Sequence, residues 1–189
     1  MDDGQRQLAR VLVLAQQVDL GEALAQRLAG EPDLELVGSV ARRAHALGVA
    51  GSARIDLVLV EVGAGDGEAL GLVRSLTALS QPPQVIVLGH AGDLVGVLDA
   101  LRAGCRAWAP RTCSDEVLMT AVRAVLRGER WLPATQVGAV VGALMTWHDA
   151  EHPPEPRPDR QQSRWRPAEK DATADHVPYL DRRCLDLEN

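Results

Sequence analysis

The sequence predicts a doubly wound α/β domain built on a five-stranded parallel sheet. Short runs of β-branched and other apolar residues alternate five times with longer segments of helical periodicity along residues 8–126. The strand-like runs are apolar throughout, which is typical of parallel strands that helices cover on both faces. The chain has 189 residues, 46% of them hydrophobic, so it is long enough for one such domain and a further C-terminal segment.

The predicted elements follow one another without an internal repeat. Strands are predicted at residues 8–15, 34–40, 55–62, 85–88 and 107–109. Each is followed by a predicted helix, at residues 20–28, 41–50, 67–79, 93–103 and 114–126. The last helix opens with Ser114 followed by two acids, which is an N-cap signal. We therefore expect this domain to cover residues 1–130.

Residues 131–147 are expected to form a linker or docking helix. Val137, Val140, Val141, Leu144 and Met145 could share one apolar stripe of a helix over 134–147. Such a helix could bind a partner, or it could close the core of the same domain. From residue 148 onward the chain contains six of its eleven prolines and mixed charges, so residues 148–189 are predicted to be a disordered tail.

Charge and composition exclude several classes of protein. The net charge of −6 disfavours a domain whose main role is to hold a phosphate backbone. The start of the chain lacks a signal-type apolar core, and no apolar run is long enough to span a membrane. We expect a cytoplasmic protein without membrane contact. The three cysteines show no paired spacing of zinc or redox sites, and no cofactor is expected.

Functional groups in a parallel sheet usually lie at the carboxyl ends of the strands. Those positions are occupied by Gln16 and Gln17, Glu61, Gly89 and Arg111. Glu61 is the one carboxylate among them, whereas a divalent cation that serves phosphoryl transfer usually needs two or more. We therefore expect neither a metal site nor catalytic residues, and we predict that the protein is not an enzyme.

Five segments together resemble the receiver domain of a response regulator of the NarL/LuxR type. They are RVLVLAQQVDLGEAL, IDLVLVEV, PQVIVLGHAGD, LRAGCRAWAPR and SDEVLMTAVRAVLRGERWLP. The resemblance spans residues 9–133, and the last segment, with its G-E-x-x-L-P ending, is its most specific part. It implies a CheY-like, flavodoxin-like fold and a role in two-component signal transduction or transcription regulation.

The chain departs from this resemblance wherever a phosphorylatable receiver carries its chemistry. Such receivers have an acid pair after the first strand, an aspartate acceptor after the third, a hydroxyl residue after the fourth and a lysine after the fifth. The residues that stand there are Gln16 with Gln17, Glu61, Gly89 and Arg111. Trp108 occupies the aromatic switch position. The loop over 63–67 is about two residues short and lacks the usual Met-Pro.

These departures indicate a pseudo-receiver that acts through protein contacts, independently of aspartyl phosphorylation. The longer side chain of Glu61 could mimic a phosphorylated aspartate, or it could be a solvated carboxylate without a switching role. A protein partner or a homodimer is expected. The contact surface would be the fourth helix, fifth strand and fifth helix, or the helix over 134–147.

The sequence leaves two alternative functions open. One is a LuxR-type transcription regulator whose DNA contact is reduced or supplied by a partner, although the chain shows no recognisable helix-turn-helix domain or other DNA-binding motif. The other is a small-molecule sensor. Its ligand would occupy the vacated phosphorylation pocket between Gln16, Gln17, Glu61, Gly89 and Arg111.

Overall fold

Strands and helices alternate through the residues that the computed structural model describes, 8–63 and 65–151. The five strands are β1 (Ala9–Leu14), β2 (Leu34–Val40), β3 (Leu57–Glu61), β4 (Gln84–Gly89) and β5 (Ala107–Pro110). The helices that follow them are α1 (Val18–Ala29), α2 (Arg43–Ser52), α3 (Gly67–Thr77), α4 (Leu94–Arg102), α5 (Asp115–Leu126) and α6 (Ala134–Glu151). The predicted alternation of strand and helix is therefore confirmed.

All five strands are parallel and form one sheet in the order β2-β1-β3-β4-β5. Successive side chains of a strand point to opposite faces, and here both faces are buried. Leu12 and Val58 belong to the apolar cluster that packs against α2, α3 and α4. Val11 and Leu57 belong to the cluster formed with α1 and α5. The doubly wound α/β fold is confirmed.

Most predicted boundaries lie within two residues of the observed ones. β2 covers the predicted residues, and α5 begins at Asp115 with Ser114 as its N-cap, whose Oγ accepts a hydrogen bond from the Val117 N–H at 3.4 Å. Gly128 follows α5 with φ of 84°, a left-handed conformation that favours glycine where a helix ends. The N-cap signal in the sequence thus placed the start of this helix correctly.

α6 is longer than predicted and packs on the body of the domain. It continues from residue 147 to Glu151, because no proline interrupts the chain before Pro153. Residues 148–151, assigned to the tail from sequence, therefore belong to the helix, and residues 152–189 lie outside the described residues. α6 contacts α4, and its Val140 is buried in the core beside α4.

The segment between α5 and α6 extends the edge of the sheet. The Trp131 N–H donates a hydrogen bond to the Arg106 carbonyl oxygen at 3.0 Å, and the Trp131 carbonyl oxygen accepts one from the Trp108 N–H at 3.3 Å. Trp131 thereby forms a parallel bridge with Ala107 of β5. Neither α6 nor another helix in the described ranges has the length and apolarity needed to cross a membrane.

Candidate functional site

The site residues predicted from sequence lie at the edge of the sheet where the strands have their carboxyl ends. Glu61 and Gly89 are the last residues of the adjacent strands β3 and β4, and Arg111 directly follows β5. Gln16 and Gln17 connect β1 to α1. The Arg111 N–H donates a hydrogen bond of 2.9 Å to the carbonyl oxygen of Gly89.

Glu61 is the charged side chain that the described fold buries, with 6% of its surface exposed. Its Oε2 accepts hydrogen bonds from the backbone N–H groups of Gln16, at 2.9 Å, and Gln17, at 3.3 Å. Its Oε1 lies 3.5 Å from Nη1 of Arg111. The carboxylate is therefore not solvated, and it joins the loops that follow β1, β3 and β5.

The surroundings of this carboxylate explain how it can be buried. A carboxylate removed from water is costly unless hydrogen bonds and an opposite charge compensate it. The two N–H groups lie directly ahead of α1, where a helix carries partial positive charge, and Arg111 supplies a full one. The amide side chains of Gln16 and Gln17 are not used, so main-chain geometry rather than the glutamine side chains holds Glu61.

Gly89 and Trp108 form a second feature of the same edge. Trp108 is buried, with 1% of its surface exposed. A Cβ atom placed on Gly89 would lie 2.8 Å from the indole Nε1 and 3.2 Å from both Cε2 and Cζ2. The indole therefore occupies the space that a side chain at position 89 would need. Gly89, which lacks the hydroxyl of the receivers, and Trp108 therefore belong to one packing arrangement.

Asp66 also lies at this edge, although it is not among the site residues predicted from the sequence. Its Oδ1 accepts a hydrogen bond from the Ala69 N–H at 3.0 Å and caps α3. Its Oδ2 lies 2.5 Å from Nη2 of Arg43 and 3.5 Å from Nε2 of Gln16. An acid directly ahead of a helix start signals a cap, but the pairing with Arg43, 23 residues away, has no local sequence signal.

The phosphorylatable receivers that the chain resembles need a divalent cation for phosphoryl transfer, and the residues present at this edge do not fit one. A hard cation needs several oxygen ligands, whereas Glu61 is held by N–H donors and Arg111, and Asp66 is held by Arg43. Arg111 Nη2 also lies 3.5 Å from Nδ1 of His90. Across residues 8–63 and 65–151, no group of three or more His, Cys, Asp or Glu side chains could hold a metal ion.

The cysteines in the described ranges are not prepared for nucleophilic chemistry. Burial raises the pKa of the Cys105 thiol to about 12, although Arg130 opposes this effect. Burial also raises the pKa of the half-buried Cys113 thiol. The thiolate is the nucleophilic form, and burial disfavours it at both positions. Cys184 lies outside the described residues.

Comparisons with known proteins bear on this fold and site. No family model matches the chain. One curated protein, the protein-glutamate methylesterase/protein-glutamine glutaminase of Nocardioides sp. (strain ATCC BAA-499 / JS614), is 28% identical over 104 residues, which is 54% of this chain. The match covers 28% of that protein, so the chain spans only a minor part of its length.

Solved structures resemble the chain over most of its described part. A LuxR-family two-component response regulator from Aurantimonas sp. SI85-9A1 superposes with a TM-score of 0.63 at 15% identity, covering 74% of this chain and 99% of that one. A LuxR-family DNA-binding response regulator from Silicibacter pomeroyi gives 0.58 at 21%, covering 69% and 100%. A CheY-like receiver domain protein from Methanospirillum hungatei JF-1 gives 0.56 at 19%, covering 65% and 96%. The chain therefore has the CheY-like receiver fold.

Proposed function

We propose that this chain is a receiver-like signalling module that holds one conformation without aspartyl phosphorylation and acts through protein contacts. The observation that carries the proposal is the buried carboxylate of Glu61. One of its oxygens accepts a hydrogen bond from the Gln16 N–H and the other faces Arg111. We assign no catalytic step to the module. The curated relative is named as an esterase and glutaminase, but the match covers 28% of it.

The contacts of Glu61 oppose phosphoryl transfer and favour mimicry of a phosphorylated acceptor. Transfer to a carboxylate depends on a positioned nucleophile and on cations that neutralise the developing charge. Here one oxygen of Glu61 accepts two backbone hydrogen bonds and the other faces Arg111. The added methylene of glutamate lets the carboxylate reach both sides of the edge. It places a carboxylate between the loops after β1 and β5.

The packing of Trp108 against Gly89 supports a single conformation. The ring is enclosed in the core cluster that lies beside α4. No side chain at position 89 competes with it for space. A buried tryptophan makes many close contacts, and moving it outward would expose a large apolar surface to water. The inward position of the ring therefore needs no phosphoryl group to maintain it.

The contact surface that we propose is the outer side of α6, used to form a homodimer. Val141 and Met145 lie one helical turn apart on this side, and 48% and 63% of their surfaces are exposed. Gly138 and Gly142 share this side of the helix, and a Cβ placed on either would meet nothing within 4 Å. A second helix could therefore approach closely and bury the two apolar side chains.

Neither alternative function gains an observation of its own. Four arginines at residues 157–166 could contact DNA, but they lie outside the described residues. The pocket considered for a small-molecule sensor is crossed by the contact between Glu61 and Arg111. A ligand there would have to replace interactions that the chain already makes.

A phosphodonor experiment tests the proposal. The purified full-length chain is incubated with acetyl phosphate and Mg²⁺, and its intact mass is measured. We expect no phosphoryl group on the wild-type chain. We also expect none on Glu61→Asp, because no acid pair accompanies the restored aspartate. Stoichiometric phosphorylation of the wild-type chain would overturn the proposal.

A further inference from the structure

A separate cavity of about 490 Å³ lies between α4 and α6. Its apolar wall comes from α4, from α6 and from the segment between α5 and α6, and includes Leu98, Leu101, Leu132, Val137, Val140 and Leu144. The volume is within the range of pockets that bind small molecules. Val137 and Leu144 are each 45% exposed, so a ligand in the cavity would cover apolar surface that now faces solvent.

The polar groups of this cavity are cationic. Arg102, Arg106 and Arg130 complete its lining, and no carboxylate among the described residues joins them. Arg102 pairs with Asp99 at 3.2 Å, and Arg130 Nη1 donates to the Cys105 carbonyl oxygen at 3.4 Å. The guanidinium of Arg106 has neither a hydrogen-bond nor an ion-pair partner within 8–63 and 65–151. This local excess of positive charge contrasts with the net charge of −6.

We propose that the cavity binds an amphipathic carboxylate, with its acyl chain between α4 and α6 and its carboxylate on Arg106. A planar guanidinium donates two parallel hydrogen bonds to a carboxylate. Moving the acyl chain from water to the apolar wall would contribute a favourable hydrophobic free energy of binding. This combination distinguishes the site from one for a neutral apolar ligand or for a purely ionic one. The inference does not rest on the function proposed above.

A ligand bound in this cavity would affect how firmly α6 is held on the domain. An acyl chain in the cavity would contact both α4 and α6, which already meet at Val140 and through the Arg102 guanidinium, 5.9 Å from the centroid of the Trp147 ring. A ligand that binds only the folded chain raises the free energy of unfolding by RT ln(1 + c/Kd), where c is the free ligand concentration. The ligand would therefore hold α6 more firmly on the body of the domain.

Decanoate is a suitable probe, and the full-length chain is the protein to use. Titration calorimetry measures saturable binding, and tryptophan fluorescence reports on Trp131, which also lines the cavity. We expect saturation with one site per chain. Arg106→Met should weaken decanoate binding about tenfold, because one charge-assisted hydrogen-bonding group is lost. Arg74→Met removes an exposed arginine of α3 from outside the cavity and should leave the affinity unchanged.

Two further measurements separate the chemistry of the ligand from its shape. Methyl decanoate, which lacks the charge, should bind the wild-type chain about tenfold more weakly than decanoate does. Its affinity for Arg106→Met should equal its affinity for the wild-type chain. Leu144→Ser, at a half-exposed wall position, should weaken both ligands. Thermal unfolding checks that each variant is folded. Failure of wild-type chain to bind decanoate below about 1 mM, or equal affinities for wild type and Arg106→Met, would overturn the inference.

Discussion

Glu61 combines burial with charge, and its stability contribution can be measured at a single residue. Replacing it by glutamine keeps the shape of the side chain but removes the negative charge opposite Arg111. We expect Glu61→Gln to lower the free energy of unfolding by about 1–3 kcal/mol, because a charged hydrogen-bonding group is lost in a buried place. Urea unfolding of the wild type and the variant measures this change, provided that both have the same dependence of unfolding free energy on urea concentration.

Glu22→Gln is the matched control for this substitution. Glu22 lies on the exposed side of α1, so the same change there should shift the unfolding free energy by less than about 0.5 kcal/mol. Equal effects at positions 61 and 22 would mean that the contacts of Glu61 with the loops after β1 and β5 contribute nothing.

A steric prediction concerns Gly89, whose missing side chain leaves room for Trp108. Gly89→Ala places a methyl group 2.8 Å from the indole nitrogen of Trp108, so the ring must move or the strands must separate. We expect a loss of about 1–3 kcal/mol in the free energy of unfolding, as for other overpacked cores. Tryptophan fluorescence should shift to longer wavelength as the ring meets water.

Gly38→Ala provides the comparison within a strand. A Cβ at Gly38 of β2 would meet nothing within 4 Å, so this variant should be neutral or slightly more stable. If both variants unfold at the same urea concentration, Trp108 does not depend on the glycine at position 89.

The sequence identified which residues stand at the strand ends but not how they interact. Strand assignment placed Glu61 and Arg111 at one edge because parallel strands share their carboxyl ends. Their contact, and the acceptance of two N–H groups about 45 residues away, depends on loop conformation that no local pattern encodes. The same holds for Asp66, whose capping role is local and whose pairing with Arg43 is not.

At the scale of elements, capping and tertiary pairing can be separated by comparing two helices. Asp66 caps α3 and pairs with Arg43, whereas Asp93 caps α4 by accepting from the Gly96 N–H at 2.9 Å. Asp93→Ala should cost about 1 kcal/mol as a lost cap. Asp66→Ala should cost about 0.5–1 kcal/mol more, because a partly buried ion pair is also lost. Equal losses in urea unfolding would show that the pairing with Arg43 is energetically neutral.

α6 shows the limit of periodicity as a guide to packing. Its apolar residues were predicted to share one stripe, but the structure divides them. Val140 is buried in the core, Val137 and Leu144 line the cavity beside α4, and Val141 and Met145 lie on the outer side. A 3.6-residue period identifies the apolar side of a helix. It does not say what packs against each part, because that depends on the shape of the body.

The strands were predictable for a physical reason. β1, β3 and β4 are buried on both faces, so nearly every residue is apolar and the run is recognisable without context. β5 is shorter, and the bridge between Ala107 and Trp131 was not predicted. Trp131 lies in a segment that has no strand periodicity of its own, so its pairing depends on the neighbouring edge.

At the scale of the whole molecule, the outer side of α6 should govern assembly. We expect light scattering to give twice the chain mass for the wild type. Met145→Glu should give the mass of one chain, because a charge would be buried between two apolar helices. Ser75→Glu adds the same charge at an exposed position of α3, away from α6, and should remain dimeric. A wild-type monomer at high concentration would contradict the homodimer, and a dimeric Met145→Glu would contradict this surface.

We expect the receiver fold of this chain to hold one conformation that no phosphoryl group controls. The most direct measurement is the indole N–H resonance of Trp108 in the ¹⁵N-labelled chain, assigned with Trp108→Phe, before and after addition of acetyl phosphate and Mg²⁺. We predict one resonance, protected from exchange with water because the ring is buried, and unchanged by the phosphodonor. A second resonance, or loss of protection when the phosphodonor is added, would show that the chain is not held in one conformation.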